Sequence, residues 1–456
     1  MNFFKYNYVM YNKTDKLIDY LLELKNSSLS DDIIHQVKRC LLDYLGVTFA
    51  GTKLLDQKVN NILNFSNNQT NYITAVGLNK KTDIYTATLV NGLNSHVSEL
   101  DDGSRYGAIH PGSPIFSALL PIAEKEKVCA NVFINAVVIA YETAILLSSA
   151  IQPSHYNMGF HPTATCGSIG AAVGVATLLG FSRNQLKDTF SAAAITASGS
   201  LKVIEDGSEL KPYNAGNAAL NGLMAAITAG SNFAGPEDVL SGDTGFLAMM
   251  SHDNRFFDCF NHETLLINKV YVKPYAACRH AHPSIEAALK IKNSVQFNVN
   301  EIKRISIKTY KGVIGKHDTK SVSNPYSAKM SIPFSVAVAL IKGSADINVF
   351  TTENISDSKI ISLTNKIFIE ADNELSALVP DKRVAIVEID FGNNVILTER
   401  VDYPKGEPEN PMTDIEIQEK FQSLLNFSGK SQITSDNIID KVWNIEREFS
   451  NLFEHL

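Results

Sequence analysis

Apolar residues recur at helical spacing through roughly the first two thirds of this chain, and at every second position in parts of the remainder. Ser30, Asp31 and Asp32 open the first clear pattern as an N-cap and acidic first turn. Ile33, Ile34, Val37, Leu41, Leu42 and Leu45 then fall on one face. The same periodicity predicts helices over residues 86–97, 113–127, 131–151, 164–179, 183–198, 216–230 and 237–240. Stretches 166–176 and 215–229 are so rich in Gly, Ala and Ser that they offer little side-chain area and allow close backbone approach, which places them in a crowded helical centre. Beyond Val270 the texture changes. Residues 304–310, 366–371 and 384–401 alternate apolar with polar or are rich in β-branched residues, and Gly392-Asn393-Asn394 supplies a turn inside the last run. Helices over 284–292, 333–342 and 356–365 interleave with these strands, and helix returns at 414–425 and 436–453. The expected fold is mainly α, a large all-helical domain with a smaller α+β lid domain. Residues 1–268 would form the first part of the helical domain and 269–405 the lid, with 406–456 rejoining the helices.

Composition narrows the class. With 456 residues, 45% hydrophobic and 20% charged, the chain can bury a core in each of two units. A net charge of −7 argues against a general nucleic-acid binder, which needs a basic surface. The most apolar run, 132–150, carries Asn135, Glu142 and Thr143 near its middle and reads as a buried helix rather than a membrane span. Five widely spaced cysteines without a CxxC pair suit a reducing compartment. The opening stretch 1–16 lacks the cationic start and apolar core of a secretory signal, so a cytoplasmic protein without nucleic-acid or membrane partners is expected.

The candidate chemistry lies in five dipeptides: His110-Pro111, His161-Pro162, Lys211-Pro212, Lys273-Pro274 and His282-Pro283. Proline is favoured in the first turn of a helix, so each pair predicts a titratable or cationic side chain at a helix N-terminus. Free N–H groups and partial positive charge already favour an anion there, and an added Lys or His⁺ makes sense when an anion binds. The pairs therefore predict a pocket for a polycarboxylate or phosphate, with histidines to move protons. Glu99-Leu-Asp-Asp102-Gly-Ser104-Arg precedes His110 as an acidic loop able to orient or charge the imidazole. Lys273-Pro-Tyr275-Ala-Ala-Cys278-Arg279-His280-Ala-His282 gathers cations at the expected domain boundary, where ligand sites favour carboxylate-binding clusters. The i, i+2 spacing of His280 and His282 has no HExxH or CxxC beside it, and neither GxGxxG nor a Walker loop is present, so no metal or nucleotide cofactor is expected. Cys166 and Cys278 are candidate nucleophiles, but their company is small and apolar or merely cationic and no triad order accompanies them.

Taken together these segments resemble the family of 2-methylcitrate dehydratase, cis-aconitate decarboxylase and iminodisuccinate epimerase (MmgE/PrpD). The resemblance rests on LDYLGVTFAG from Leu42, ELDDG and HPGS from Glu99, GFHPTATCGSIGAAVGVATLLG from Gly159 and FAGPEDVLSGDTGFL from Phe233. KPYAACRHAH from Lys273 and AKMSIPFSVAVALIKG from Ala328 complete the order. It implies a homodimer with a metal-free, cofactor-independent site between the two domains. His110, His161, Lys211, Lys273, Glu99 and Asp102 would be catalytic, with Arg279, His282, Tyr275 and Ser104 binding substrate. Two departures bear on the reaction. Gly103-Ser104-Arg105 follows the acidic pair where family members often carry Thr and then an aromatic residue or His, with one extra residue before His110. Phe334 stands where the decarboxylase has a site tyrosine, which ranks decarboxylation below dehydration or isomerisation. The expected activity is removal of water from a 2-methylcitrate-like or citrate-like hydroxy acid. Lys211, Lys273 and Arg279 would grip carboxylates while His110 or His161 takes the proton. Epimerisation of a dicarboxylate such as iminodisuccinate, decarboxylation of a cis-aconitate-type acid and non-catalytic carboxylate binding are the alternatives.

Overall fold

A computed structural model describes residues 12–66, 72–204, 207–253, 255–260 and 263–456. The opening residues 1–11, on which the reading of the N-terminus partly rests, lie outside the described residues. The chain begins with α1 (Lys13–Asn26), α2 (Asp31–Leu54), α3 (Asp56–Leu63), a short hairpin of β1 (Ile73–Ala75) and β2 (Lys80–Thr82), and α4 (Ile84–Val97). There follow α5 (Gly112–Glu126), α6 (Ala130–Ala150), α7 (Ser154–Asn157), α8 (Pro162–Leu178), α9 (Arg183–Thr196), α10 (Lys211–Gly230) and α11 (Phe246–Met250). The last third adds α12 (His282–Ser294), β3 (Arg304–Thr309), α13 (Pro325–Met330), α14 (Ile332–Lys342), α15 (Thr352–Ile355) and α16 (Ser358–Asn365). It closes with β4 (Ile367–Ala371), α17 (Asn373–Ala377), β5 (Ala385–Gly392), β6 (Val395–Val401), α18 (Asp414–Phe427), α19 (Gln432–Trp443) and α20 (Ile445–Leu452). The protein is mainly α with a smaller α+β part.

Small residues set how closely the helices pack. A Cβ on Gly51 of α2 would lie 1.9 Å from the Asn94 carbonyl oxygen of α4, and one on Gly46 would lie 3.1 Å from the Phe421 ring of α18. Helix α2 is thus clamped between α4 and α18, and is buried from Cys40 to Thr52. In the same way Gly170 of α8 meets α6, while Gly222 of α10 meets Ala171 and Ala172 of α8. The predicted crowded centre is therefore α8 and α10, packed on each other. Helix α6 is long and apolar enough to cross a membrane, yet it is a core helix here. It is buried over 83% of its most apolar window, and Glu142 within it accepts from the Tyr20 hydroxyl at 2.6 Å and the Leu266 N–H at 2.8 Å.

The second unit is a four-stranded sheet in the order β4-β3-β5-β6, with β3 and β4 parallel and the other pairs antiparallel. Burial alternates along β3 and β5, and α12 and α14 contribute to the core on the sheet's buried face. Gly392, Asn393 and Asn394 all take positive φ in the β5–β6 turn, a conformation that Gly and Asn tolerate best. Helices α18 and α19 return to α2, and α20 packs on α6 through Phe449 against Phe133.

Several sequence expectations need correction. Residues 237–240 are not helical, and the short helix in this region is α11. The run 436–453 is two helices broken at Asn444. Ser30 occupies the N-cap of α2 without a side-chain cap bond. Lys273-Pro274 starts no helix, whereas His110, His161, Lys211 and His282 all lie at or within two residues of a helix start.

Candidate active site

The N-termini of α5, α8 and α10 converge on the C-terminal end of α4. His110 lies just before α5, and its N–H donates to the Thr163 hydroxyl in the first turn of α8 at 3.1 Å. His161 is the N-cap of α8, and Lys211 is the first residue of α10. At the end of α4, the His96 ring lies 5.3 Å from that of His110 and 5.8 Å from that of His161, tilted to both. Glu99 follows with φ of 60°, and Ala108 in the same loop has φ of 51°. Left-handed backbone at such residues costs energy and persists where the surroundings enforce it, which is common at functional sites.

The acidic loop divides its carboxylates. Glu99 pairs with Lys211 and lies 3.7 Å from Lys273 Nζ. Burial raises its pKa, and the two lysines outweigh that and hold the carboxyl well below its usual range. Asp101 accepts from His96 Nδ1 at 2.6 Å and from the Ser113 hydroxyl at 2.9 Å, and lies 3.5 Å from Lys273 Nζ. Burial disfavours its charge, but His96, His110 and Lys273 lower it strongly. Asp102 does something else. It accepts from the Gly112 N–H at the start of α5 at 3.0 Å and from the Tyr141 hydroxyl at 2.7 Å, and burial beside Asp43 and Asp101 pushes its pKa up to about 7. The carboxylate that meets the histidines is thus Asp101, not the expected Asp102, whose side chain supports α5.

The two histidines are held in opposite tautomers. His110 Nδ1 lies 2.6 Å from the Asp102 carbonyl oxygen, which can only accept, so Nδ1 carries the proton and Nε2 has a bare lone pair. The Asn214 amide nitrogen donates to the Ser200 carbonyl at 3.2 Å, which fixes its orientation, and also to His161 Nδ1 at 3.0 Å. His161 therefore carries its proton on Nε2. Both rings are neutral near pH 7. Burial, then Lys273, lowers His110 to about 3, while burial, then His96 and Lys211, lowers His161 well below an ordinary imidazole.

Among the described residues, a cavity of about 60 Å³ is lined by His110, His161 and Lys211 together with Tyr271, Cys278, Arg279, His280, His317 and Arg383. The buried Lys and Arg among the described residues are Arg105, Lys211, Lys273, Arg279, Lys329 and Arg383, of which Lys211, Arg279 and Arg383 line the cavity. Their carboxylate partners are Glu99, Asp101, Glu407 and, at the edge, Glu409. Among the described residues Lys329 donates only to the Val97 and Ser98 carbonyls, and burial lowers it to about 8. Arg383 donates to the Arg105 carbonyl at 3.1 Å. The result is a buried surplus of positive charge, which an anion in the cavity would relieve.

The remaining expected site residues stand apart from this cavity. Lys273 is wholly buried behind Glu99 and Asp101, where it holds the acidic loop. His282 is buried with Nε2 at 3.1 Å from the Ala277 carbonyl oxygen, and Tyr275 packs edge-on to its ring at 5.2 Å. Ser104 pairs its backbone with Ile109 and has its buried hydroxyl unpartnered among the described residues. Phe334 lies in the core of the sheet unit, 6.2 Å from the Phe350 ring, and is not among the residues that line the cavity. Tyr156 and Tyr271 do line the cavity. His96, Asp101, His317 and Arg383 were missed. A His three residues before an acidic loop was the only available signal, since His317 and Arg383 stand in no motif. Cys278, His280 and His317 hold possible metal-ligand atoms within 4.8 Å of one another, but Arg279 and Arg383 in the same wall oppose a dication.

Residues 15–257 match the model of the MmgE/PrpD N-terminal domain, and residues 275–445 that of the MmgE/PrpD C-terminal domain. The chain belongs to the MmgE/PrpD family. It is 26% identical to a cis-aconitate decarboxylase-like protein of Aspergillus oryzae over 91% of this chain and 90% of that protein. It is 23% identical to the cis-aconitate decarboxylase of Mus musculus over 95% and 91% of the two chains. A mitochondrial 2-methylcitrate dehydratase of Yarrowia lipolytica is 26% identical over 56% of this chain and 52% of that protein. These relatives are named as enzymes. The cavity described above joins residues from both matched domains.

Proposed function

We propose that this protein is a cofactor-independent hydro-lyase acting on a citrate-like or 2-methylcitrate-like polycarboxylate. The opposite tautomers of His110 and His161 carry this reading. Elimination of water needs a base at the carbon next to a carboxylate and a hydrogen-bond donor at the departing hydroxyl. A bare Nε2 on His110 and an Nε2–H on His161 supply both. Lys211, Arg279 and Arg383 in the cavity wall would stabilise the negative charge that builds on the carboxylate as the proton leaves. Neutral imidazole is a weak acid, so His161 would polarise the leaving group while a cation-bound water or the substrate's own carboxyl completes proton delivery.

Decarboxylation is the second reading. The core position of Phe334 removes the sequence-based objection to it, and two of the relatives carry that activity or a likeness to it in their names. Loss of carbon dioxide needs a proton donor to the resulting carbanion but no base, which is why the paired tautomers favour dehydration.

Proton NMR of purified protein with citrate, 2-methylcitrate and cis-aconitate in heavy water separates the outcomes. The expected result is a new unsaturated acid formed from a hydroxy acid. His110→Asn and His161→Asn should each slow its formation at least about a hundredfold. Deuterium uptake without loss of water would make the protein an epimerase, and release of carbon dioxide from cis-aconitate a decarboxylase.

A further inference from the structure

Besides the two tautomeric histidines, the cavity wall holds a pair that the elimination does not use. Cys278 Sγ lies 4.0 Å from His317 Nε2, and His317 Nδ1 faces the Met330 carbonyl oxygen at 3.1 Å. That carbonyl can only accept, so Nδ1 is the protonated nitrogen and Nε2 is turned to the sulfur as a proton acceptor. The His280 ring stacks on His317 at 4.7 Å with an interplanar angle of 19°, which limits rotation of the imidazole. Cys278 is partly exposed and lines the same cavity as Arg279 and Lys211. A base oriented by a third group and aimed at a thiol in a cationic pocket is the arrangement that activates cysteine nucleophiles.

We propose that Cys278 and His317 form a reactive thiol pair that takes anionic, α,β-unsaturated carboxylates as covalent ligands. In the addition, His317 Nε2 accepts the thiol proton and the sulfur attacks the β-carbon. The π electrons move toward the α-carbon and its carboxylate, which Lys211 and Arg279 stabilise, and the α-carbon takes the proton back from His317. The S–H bond adds across the double bond, with no leaving group and no oxidant, and the protein gains the mass of one acid. The choice of electrophile rests on the function proposed above, in which an unsaturated acid forms in this cavity, whereas the reactivity of the thiol does not. The other four cysteines differ. Burial pushes Cys40 well above an ordinary thiol, Cys166 up to about 12 and Cys259 up to about 11, and Cys129 is exposed. At Cys278 burial also raises the pKa, but the charge and hydrogen bond of His317, helped by Lys211 and opposed by Glu99, bring it down to about 7.

The five free thiols make an internal competition. Full-length protein at pH 7 is treated separately with iodoacetate, iodoacetamide and maleate, and the adducts are located by peptide mapping with Cys129 as the reference. Cys278 should be labelled first. Its preference for iodoacetate over neutral iodoacetamide should exceed that of Cys129 at least about tenfold, because the cationic wall gathers anions. Maleate should add one equivalent at Cys278, excess citrate should slow this without protecting Cys129, and His317→Gln should slow Cys278 at least tenfold while Cys129 is unchanged. Labelling of Cys129 alone, equal rates in His317→Gln, or iodoacetate labelling without a maleate adduct each overturns the proposal. A maleate adduct in a protein that turns over no acid sustains the thiol pair and sinks the hydro-lyase reading instead.

Discussion

Asn214 decides which nitrogen of His161 holds the proton. Its amide is fixed by the Ser200 carbonyl, so its second N–H must donate to Nδ1. Replacing it with Leu removes that constraint and with Asp reverses it, because a carboxylate accepts from Nδ1–H and frees Nε2 of its proton. Groups that hydrogen-bond the far nitrogen of a metal-bound histidine are worth roughly 10–100-fold, and a similar loss of kcat with KM changed less than about threefold is expected for both variants. Asn214→Asp should also bring a new ionisation into the pH–rate profile by raising His161. A structural role alone would change KM and stability without that ionisation. Residues such as Asn214, Asp101 and His317 were illegible beforehand for one physical reason. Their importance lies in which atom they face, and spacing along the chain says nothing of that. His110, His161 and Lys211 were legible because proline fixes a helix start, and a helix start fixes where the neighbouring side chain emerges.

At the level of elements, α4 and α10 cross where Gly92 meets Gly216. A Cβ on Gly92 would lie 2.5 Å from the Gly216 Cα, and one on Gly216 would lie 2.8 Å from the Leu89 carbonyl oxygen. Backbone atoms cannot yield as a flexible side chain can, so the helices must separate. The same crossing sets the start of α10, and hence Lys211, against Glu99 beyond the end of α4. Gly92→Ala should destabilise the fold by about 1–3 kcal/mol and lower kcat/KM as well, whereas Gly312→Ala, whose Cβ would make only ordinary contacts at 3.6 Å, should do neither. Chemical denaturation with steady-state kinetics on the three proteins tests this, and an unchanged Gly92→Ala would refute the close-crossing account. The small-residue runs announced crowding but not which helix meets which, because Gly and Ala carry no pattern that names a partner. Helix α1 was overlooked although Asn12 caps it and Leu17, Ile18, Leu21 and Leu24 are buried along one face. The β1–β2 hairpin was missed because strands of three residues are too short to show alternation.

For the whole molecule, the division into a helical mass and a small mixed sheet was readable because the apolar period changes after Val270. The buried charge cluster was not, since its members come from segments hundreds of residues apart, such as Arg105 with Glu407 at 2.7 Å. That cluster makes the fold sensitive to acid. Burial, the largest cause in each case, holds His110 at about 3 and His155 at about 4, and holds His161, His280 and His282 well below an ordinary imidazole. Their folded-state pKa values are depressed, so the stability they contribute is full above about pH 6.5 and is lost as pH falls, because the unfolded chain takes up protons that the folded one refuses. Asp102 works the other way. Raised to about 7, it binds a proton in the folded state before the unfolded carboxyl does, and so supports the fold as pH falls through 7. His317, raised by the Cys278 thiol and the Met330 carbonyl against the effect of burial, likewise adds stability below the ordinary imidazole pKa that is lost as pH rises. The five depressed histidines outnumber the groups raised in the fold, Asp102, Asp43 and His317, so unfolding takes up protons on balance as pH falls toward 5, each worth about 1.4 kcal/mol per pH unit. Denaturation curves between pH 7 and 5 should therefore show stability falling by several kcal/mol, with a slope that reports those protons. A flat profile would mean that these histidines are hydrated and titrate normally, and the dry, cationic cavity on which the proposed chemistry depends would not exist.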